Sequence, residues 1–190
     1  DLVDRATDTR YGATKLAGES AVRAAFPNAT ILRPSLIIGP EDGFFQRFAR
    51  MSLVSPVLPL IAGGKTLFQP VLVTDVAEAI FTAATTPQAA AKTYAVTGDQ
   101  TYSFRQMLEL MAQITNRRPR LISIPSCLAS IKGTLCELLP FAPMITRDQV
   151  KCLRHDNVVT KGELTLNDLG IAPASVADAL PQLLSRYIKH

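Results

Sequence analysis

The stretch Tyr11-Gly12-Ala13-Thr14-Lys15 decides how this chain is interpreted. It lies early in a segment, residues 10–26, that is rich in Ala, Leu, Lys and Glu, which favour helices. Asp8 or Thr9 stands where a helix N-cap is expected, because a short side-chain oxygen there accepts a bond from a backbone N–H. Pro27 follows the segment and cannot continue a helix. The sequence therefore predicts a helix over residues 10–26, with the quoted stretch in its first turns.

Tyr11 and Lys15 are four positions apart, so their side chains share one face of the predicted helix. A tyrosine that exchanges a proton near neutral pH must have its pKa lowered by about three units, which corresponds to about 4 kcal/mol. One ammonium about 4 Å away contributes about that much at an effective dielectric constant near 20. Taken alone, the spacing is a weak signal, since helices often place a packed Tyr beside a solvated Lys. The pair is therefore a candidate acid–base site that its neighbours must support.

Strand and helix patterns alternate through the first hundred residues. The runs that indicate them are strands over residues 29–38, 67–73 and 93–97, and helices over residues 44–53 and 75–84. The first strand has the composition of a strand buried on both faces. Asp75 and Glu78 have the spacing of a capping box at the start of a helix. This order of elements predicts a parallel sheet covered by helices.

The pattern becomes mostly helical after residue 99. Ser103 and Gln106 form a further capping box. The predicted elements are helices over residues 104–115, near 126–139, from Thr146 with Gln149, and over 176–188 after Ser175, and a strand over residues 121–124. Pro181 is expected to kink the last helix. We therefore predict two parts: a sheet-bearing domain of residues 1–99, from which residues 41–66 extend into the cap, and a cap subdomain of residues 100–190.

The composition, 47% hydrophobic and 19% charged, is typical of a soluble globular protein. Residues 53–64, the longest apolar run, are too few to span a bilayer. Part of that run, residues 53–61, is expected to be a buried loop or else to face a lipid-like substrate, a membrane or a partner. Widely spaced Cys127, Cys136 and Cys152 argue against a disulfide framework and a metal site. The basic patch Arg117, Arg118 and Arg120 has few aromatic neighbours, which argues against nucleic-acid binding.

Three further stretches carry a family resemblance. They are Leu16-Ala17-Gly18-Glu19, Arg33-Pro34-Ser35-Leu36-Ile37-Ile38-Gly39-Pro40 and Phe68-Gln69-Pro70-Val71-Leu72-Val73-Thr74-Asp75-Val76-Ala77. With the Tyr11–Lys15 stretch, they resemble the extended short-chain dehydrogenase/reductases, which are NAD-dependent epimerase/dehydratase-like proteins. The resemblance implies that Lys15 bonds the nicotinamide ribose and that Tyr11 is the general acid and base. It also implies that Pro34, Ser35 and Leu36 contact the cofactor, NADP or NAD. For Ser35, a buried strand serine bonded to backbone is the alternative.

The sequence contains no motif that grips the cofactor phosphates. Its ten glycines form no GxGxxG cluster, and the residue that reads the adenosine ribose and the family's catalytic Ser would both precede Asp1. The resemblance therefore implies an α/β fold: the C-terminal part of a doubly wound Rossmann-type parallel sheet with a small, mostly helical C-terminal cap. We expect the N-terminal half to be supplied in cis or in trans. We also expect the isolated 190 residues to fold poorly, because the Tyr11 helix would expose an apolar face.

Within this superfamily, the closer resemblance is to the branch of the 39-kDa accessory subunit of respiratory complex I. Sugar-nucleotide enzymes carry an Arg where Phe68 stands, and a phenyl ring cannot bind a pyrophosphate. The closer likeness rests on residues 40–48, 68–71, 145–150 and 156–159. It implies a tightly held dinucleotide, commonly NADPH, and partners in complex I or the inner membrane. The expected location is cytoplasmic or in the mitochondrial matrix, peripheral to the inner membrane and without a transmembrane segment.

Two hypotheses remain open at this point. In the first, the protein is a nucleotide-holding accessory or assembly subunit, and Tyr11 and Lys15 serve binding. In the second, it is an active NAD(P)-dependent oxidoreductase or epimerase/dehydratase, and Tyr11 transfers protons. In both, the family position implies that four residues face the cleft between the two parts: Gln46, Arg47, Phe68 and Gln69. His155 is expected to be a surface or packing residue rather than a catalyst.

Overall fold

The computed structural model describes residues 7–124 and 151–189. The helices predicted near residues 126–139 and from Thr146 lie outside these ranges, as do Cys127, Cys136 and the likeness over residues 145–150. The described residues contain five α-helices: α1 (Arg10–Ala25), α2 (Phe45–Val54), α3 (Val73–Thr85), α4 (Phe104–Ile114) and α5 (Val176–Leu183). Short 3₁₀ turns lie at Ala62–Gly64, Pro87–Ala89, Leu166–Leu169 and Ser185–Tyr187.

Eight strands accompany these helices. They are β1 (Ile31–Pro34), β2 (Ile37–Ile38), β3 (Val57–Ile61), β4 (Leu67–Phe68), β5 (Val71–Leu72), β6 (Thr93–Val96), β7 (Tyr102–Ser103) and β8 (Arg120–Ile124). Three of the pairs are parallel, namely β1 with β6, β2 with β5 and β3 with β8, whereas β4 and β7 are antiparallel. Parallel strands joined through helices confirm the predicted α/β class.

The single strand predicted over residues 29–38 is wrong in two respects. It is divided into β1 and β2, which pair with different partners. Pro34 has no N–H to donate. The Ser35 N–H still donates to the Val96 carbonyl in β6, whereas the Leu36 carbonyl accepts from Val71 in β5. The chain therefore changes its neighbouring strand between residues 35 and 36. The strand is also not buried on both faces, since Ile37 is exposed and β1 is half-buried over most of its length.

The capping box predicted at Asp75 and Glu78 is also wrong. Helix α3 begins at Val73, its N-cap is Leu72, and no side chain caps it. The strand predicted over residues 67–73 is accordingly divided into β4 and β5. Asp75 lies in the first turn of α3, where a carboxylate is favoured by the helix dipole. Its Oδ2 instead accepts a bond from the distant Ala174 N–H at 2.9 Å, so a tertiary contact replaces the local cap.

Other helix ends follow the prediction. Thr9 caps α1 by accepting from the Gly12 N–H at 3.0 Å, and Ser103 with Gln106 forms the complete capping box of α4. Ser175 caps α5 as expected. The predicted end of α5 at residue 188 is wrong, because the helix ends at Leu183, shortly after Pro181 removes a backbone donor.

Within the described residues, the buried side chains form two separate hydrophobic clusters. The larger one joins α2, β3, α4 and α5, and contains four aromatic rings whose centroids lie 5.0–5.6 Å apart: Phe44, Phe45, Phe48 and Phe104. The smaller one contains five buried residues: Val71, Ala79, Val96, Leu166 and Ile171. The larger cluster joins Ile38 and Phe68 of the predicted sheet domain to Phe104 and Leu180 of the predicted cap, so the division into two parts stays a prediction.

Candidate functional site

Helix α1 runs antiparallel to β1 and β6. Near its C-terminal end, Arg23 donates to the Thr93 hydroxyl at the start of β6 at 2.5 Å. Farther back, Glu19 accepts two bonds from the Arg33 guanidinium near the end of β1, at 3.0 and 2.8 Å. Since a helix rises about 1.5 Å per residue, Lys15 lies about 6 Å beyond Glu19, and residue 11 about 12 Å beyond it. The predicted pair therefore lies at the carboxyl ends of the strands, where open α/β sheets bind ligands.

Tyr11 and Lys15 share one side of α1 as the spacing predicts. The Lys15 Nζ lies 5.7 Å from the centroid of the Tyr11 ring, so the ammonium stands over the ring. Tyr11 is 44% exposed. Partial burial raises the pKa of the Tyr11 hydroxyl above its ordinary value, and neighbouring Cys152 raises it further. This direction is opposite to the predicted lowering, because desolvation of the phenolate and the nearby Cys152 both oppose ionisation.

A segment far along the chain completes this site, and the sequence analysis missed it. Cys152 lies close enough to influence Tyr11 electrostatically. His155 lies beside the start of α1, with its Nε2 atom 2.8 Å from the Asp8 Oδ1. No local spacing connects residues more than 140 positions apart, so only the tertiary fold reveals these neighbours. The prediction that His155 is a surface or packing residue left its position beside the Tyr11 helix unrecognised.

The three predicted cofactor contacts differ in their surroundings. Pro34 is exposed at the strand ends, so its ring is accessible to a ligand. Ser35 is buried, and its hydroxyl donates to the Asn157 carbonyl at 3.2 Å. The alternative interpretation, a buried serine bonded to backbone, therefore describes the Ser35 side chain, although this residue lies between β1 and β2 rather than within a strand. Leu36 is half-buried and packs against the larger hydrophobic cluster.

Gln69 connects two loops at the same edge. Its Nε2 donates to the Gly98 carbonyl at 2.8 Å, and its Oε1 accepts from the Val159 N–H at 3.1 Å. Its backbone N–H also donates to the Asn157 carbonyl. Phe68 beside it is buried in the larger hydrophobic cluster. Both amide atoms of Gln69 are thus already bonded within the fold, although the sequence predicts a cleft residue there.

Gln46 and Arg47 lie at the start of α2. Gln46 is buried; its Nε2 donates to the Leu183 carbonyl at 3.0 Å, and its Oε1 accepts from Arg186. Gln46 therefore ties α2 to the end of α5. Arg47 is half-buried. The cleft role of these residues stays a prediction, and the bonds of Gln46 favour a packing role.

The edge formed by the carboxyl ends of the strands offers hydrogen-bond donors that suit a ribose. Lys15 supplies an ammonium with three N–H donors and Tyr11 a hydroxyl, on successive turns of one helix and beyond the strand ends. Exposed Pro34 provides an apolar surface nearby. These groups fit the hydroxyls and the ring of a nicotinamide riboside. Within residues 7–124 and 151–189, no three His, Cys, Asp or Glu side chains are arranged to hold a metal ion.

Comparison with known proteins supplies the family context. The model of the RmlD substrate binding domain matches residues 6–131. NADH dehydrogenase [ubiquinone] 1 alpha subcomplex subunit 9, mitochondrial, of Mus musculus is 36% identical over 92% of this chain and 46% of its own length. Ceramide reductase of Caulobacter vibrioides is 35% identical over 62% of this chain and 37% of its own length. The chain thus spans about half the length, or less, of these relatives.

A solved structure shows the same fold at low sequence identity. The crystal structure of dTDP-glucose 4,6-dehydratase from Bacillus anthracis in complex with NAD matches with a TM-score of 0.65 at 14% identity. The match covers 94% of this chain and 52% of that chain. The Rossmann-type fold implied by the resemblance is thereby confirmed. No helix in the described parts of the chain is long and apolar enough to cross a membrane.

Proposed function

The chain belongs to the RmlD substrate binding domain family, and on that premise we propose that it is part of a nucleotide-holding accessory or assembly subunit of the respiratory complex I type. In this proposal the chain supplies the nicotinamide side of an NAD(P) site and the cap beside it. Lys15 holds the ribose, and Tyr11 contributes a neutral hydroxyl rather than a proton-transfer group. The likeness to the mouse alpha subcomplex subunit 9 over 92% of this chain supports the choice of branch.

The environment of Tyr11 is the observation that carries the proposal. General acid–base catalysis works best when the pKa of the group lies near the operating pH. Burial and Cys152 instead raise the pKa of Tyr11, which moves it away from the operating pH rather than towards it. A neutral hydroxyl beside an ammonium binds a sugar well and exchanges protons poorly. When bound, the nicotinamide ring would supply a hydride donor or acceptor.

The rest of the dinucleotide requires residues that are not in this sequence. We propose that an N-terminal Rossmann half, in cis or in trans, provides the phosphate-binding loop. The exposed side chains of α1 and of its C-cap residue support this, since Tyr11, Val22 and the C-cap Phe26 are each more than 40% exposed. An association with complex I at the inner membrane, on the matrix or cytoplasmic side, belongs to the same proposal.

A working reductase is the second candidate, and one comparison favours it. The likeness to ceramide reductase, at 35% identity, covers 62% of this chain. In that case a bound nicotinamide and substrate would have to lower the pKa of Tyr11 on binding. A Ser upstream of Asp1 at the family's catalytic position would favour this reading.

Nucleotide content and turnover of the complete protein distinguish the two candidates. Bound dinucleotide would be released and identified from the wild type, Lys15→Ala and Tyr11→Phe. We expect co-purifying NADPH or NADH, an emptied site in Lys15→Ala, and unchanged occupancy with no turnover in Tyr11→Phe. Lys92→Ala, an exposed lysine on another surface, is the matched control for the lost charge. Substrate-dependent oxidation or reduction of the cofactor that Tyr11→Phe abolishes would overturn the proposal and establish the reductase.

A further inference from the structure

A surface at the end of α2 combines exposed apolar side chains with arginine and lysine. We call it the basic-apolar patch; it consists of Leu53, Val54, Pro56, Arg50, Arg117, Arg118, Arg120 and Lys189. Val54 is 83% and Leu53 is 47% exposed, although both lie in a helix whose other side is buried. The patch borders a shallow cleft of about 640 Å³ between α2, the turn before β8 and the C-terminal segment.

Helix geometry turns Val54 towards solvent; together with Leu53 it forms what we call the apolar tip of the patch. Phe45 faces the larger cluster, and nine residues later Val54 has turned by about 180° from it. Arg50 lies one turn before Val54, on the same outward side. Ser55 then ends the helix, and its hydroxyl bonds the Val57 carbonyl to start β3. The tip is therefore a fixed corner between a helix and a strand.

Three segments are tied together beneath the patch. The Arg117 guanidinium donates to the carbonyls of Tyr187 and Ser52, at 3.3 and 3.5 Å. The Asn116 side chain donates to the Lys189 carbonyl at 3.2 Å. These bonds hold the C-terminal segment and the turn before β8 against the end of α2. The Arg117 guanidinium and the backbone at Lys189 are thus held in place by the fold.

None of the ion pairs between described residues involves a cation of the patch. Nine described residues line the cleft; three of them are cations and none is a carboxylate. Arg120 lies beside Pro56, because its backbone N–H donates to the Pro56 carbonyl at 2.8 Å. The Arg120 side chain is exposed. The patch therefore presents several positive charges around an apolar tip.

We propose that the basic-apolar patch docks the protein onto a membrane surface rich in anionic phospholipid. Interfacial binding requires apolar side chains that enter the headgroup region and cations that lie level with anionic headgroups. Val54 and Leu53 provide the first, and the surrounding arginines and Lys189 provide the second. Charge complementarity favours an anionic membrane, because the patch carries several cations. A small soluble anion would bind the cations but would not bury the exposed apolar side chains of Leu53 and Val54. The proposal does not depend on dinucleotide binding.

Vesicle binding tests the proposal directly. The complete protein would be sedimented with neutral phosphatidylcholine vesicles and with vesicles containing about one-third phosphatidylglycerol. Arg118→Gln with Lys189→Gln removes two patch cations, and Lys92→Gln with Lys161→Gln removes two exposed cations elsewhere. Val54→Ser tests the apolar tip, and Ile80→Ser is its control at another exposed position. Thermal unfolding of each variant checks that the fold is retained.

A basic residue near an anionic surface contributes a factor of about five, so the patch pair should lower affinity for anionic vesicles about 25-fold. We expect less than about a two-fold change for the control pair, because its cations lie elsewhere. Val54→Ser should weaken binding about three-fold or more, and Ile80→Ser should not. Equal losses in the patch and control pairs, or no preference for anionic vesicles, would overturn the proposal. So would competition by millimolar inorganic phosphate together with an unaffected Val54→Ser, which indicates a soluble-anion site.

Discussion

Replacing Gln69 by methionine should detach two loops from the edge of the sheet. The substitution keeps the length of the side chain and removes both amide atoms. The Gly98 carbonyl and the Val159 N–H would then lose their partners, which now lie at 2.8 and 3.1 Å. A hydrogen bond contributes about 1 kcal/mol net, and a stranded, partly buried group costs about 1–3 kcal/mol. The expected loss in the free energy of unfolding is therefore about 3 kcal/mol.

Chemical and thermal denaturation measure this loss. For a protein of this size, 1 kcal/mol lowers the Tm by about 2–4 °C, so a decrease of about 9 °C is expected. Gln113→Met, at an exposed position of α4, is the matched control and should change stability by less than about 0.5 kcal/mol. Suppose that Gln69→Met changes stability no more than the control does, yet weakens dinucleotide binding ten-fold. The structural interpretation of Gln69 would then be refuted, and Gln69 would be a ligand of the cleft.

Three further predictions test other parts of the fold. Gly98→Ala should destabilise the protein by about 2 kcal/mol or more, since an added Cβ would stand 2.0 Å from a backbone carbonyl oxygen. Gly18→Ala, in open space on α1, should instead stabilise the protein by about 0.5–1 kcal/mol. A denaturant midpoint that is higher for Gly98→Ala than for Gly18→Ala would refute the reasoning. A double-mutant cycle of Arg33→Ala and Glu19→Ala should give a coupling of about 2 kcal/mol for the forked, largely buried pair, and a value near zero would contradict it. The titration midpoint of Tyr11, followed by phenolate absorbance, should lie above that of a free tyrosine, with a loss of stability as pH rises through that range, since burial raises the folded pKa. A Tyr11→Phe difference titration whose midpoint lies at or below that of free tyrosine would disprove this.

Sequence rules that involve neighbouring residues predicted the helix caps correctly. They were wrong where a hydrogen bond to a distant residue replaced the local one. Thr9 and Ser103 cap helices as their sequence neighbourhood predicts, because each bond spans only three residues. Asp75 has the same local signature, but its carboxylate bonds Ala174, which is 99 positions away. The division of residues 29–38 into two strands likewise depends on which distant strand lies alongside, and that is not encoded by apolar composition.

The candidate site shows the same limit. The i, i+4 spacing correctly places Tyr11 and Lys15 on one face of α1. The direction of the Tyr11 pKa shift could not be predicted, because it depends on burial and on Cys152, which is more than 140 residues away in sequence. Ser35 and Gln69 were identified by family position, whereas their bonds to residues 157–159 emerge only from the fold.

The smaller hydrophobic cluster has a consequence for how the protein is made. Val71, Ala79 and Val96 are packed against Leu166 and Ile171, and the Ala95 N–H donates to the Leu164 carbonyl. On the ribosome, strand β6 is therefore synthesised roughly 75 residues before the side chains that cover it. At about 5–20 residues per second, its apolar surface waits on the order of 10 seconds for its partner. During that interval the nascent chain presents an unfinished core, which makes it a natural client for chaperones.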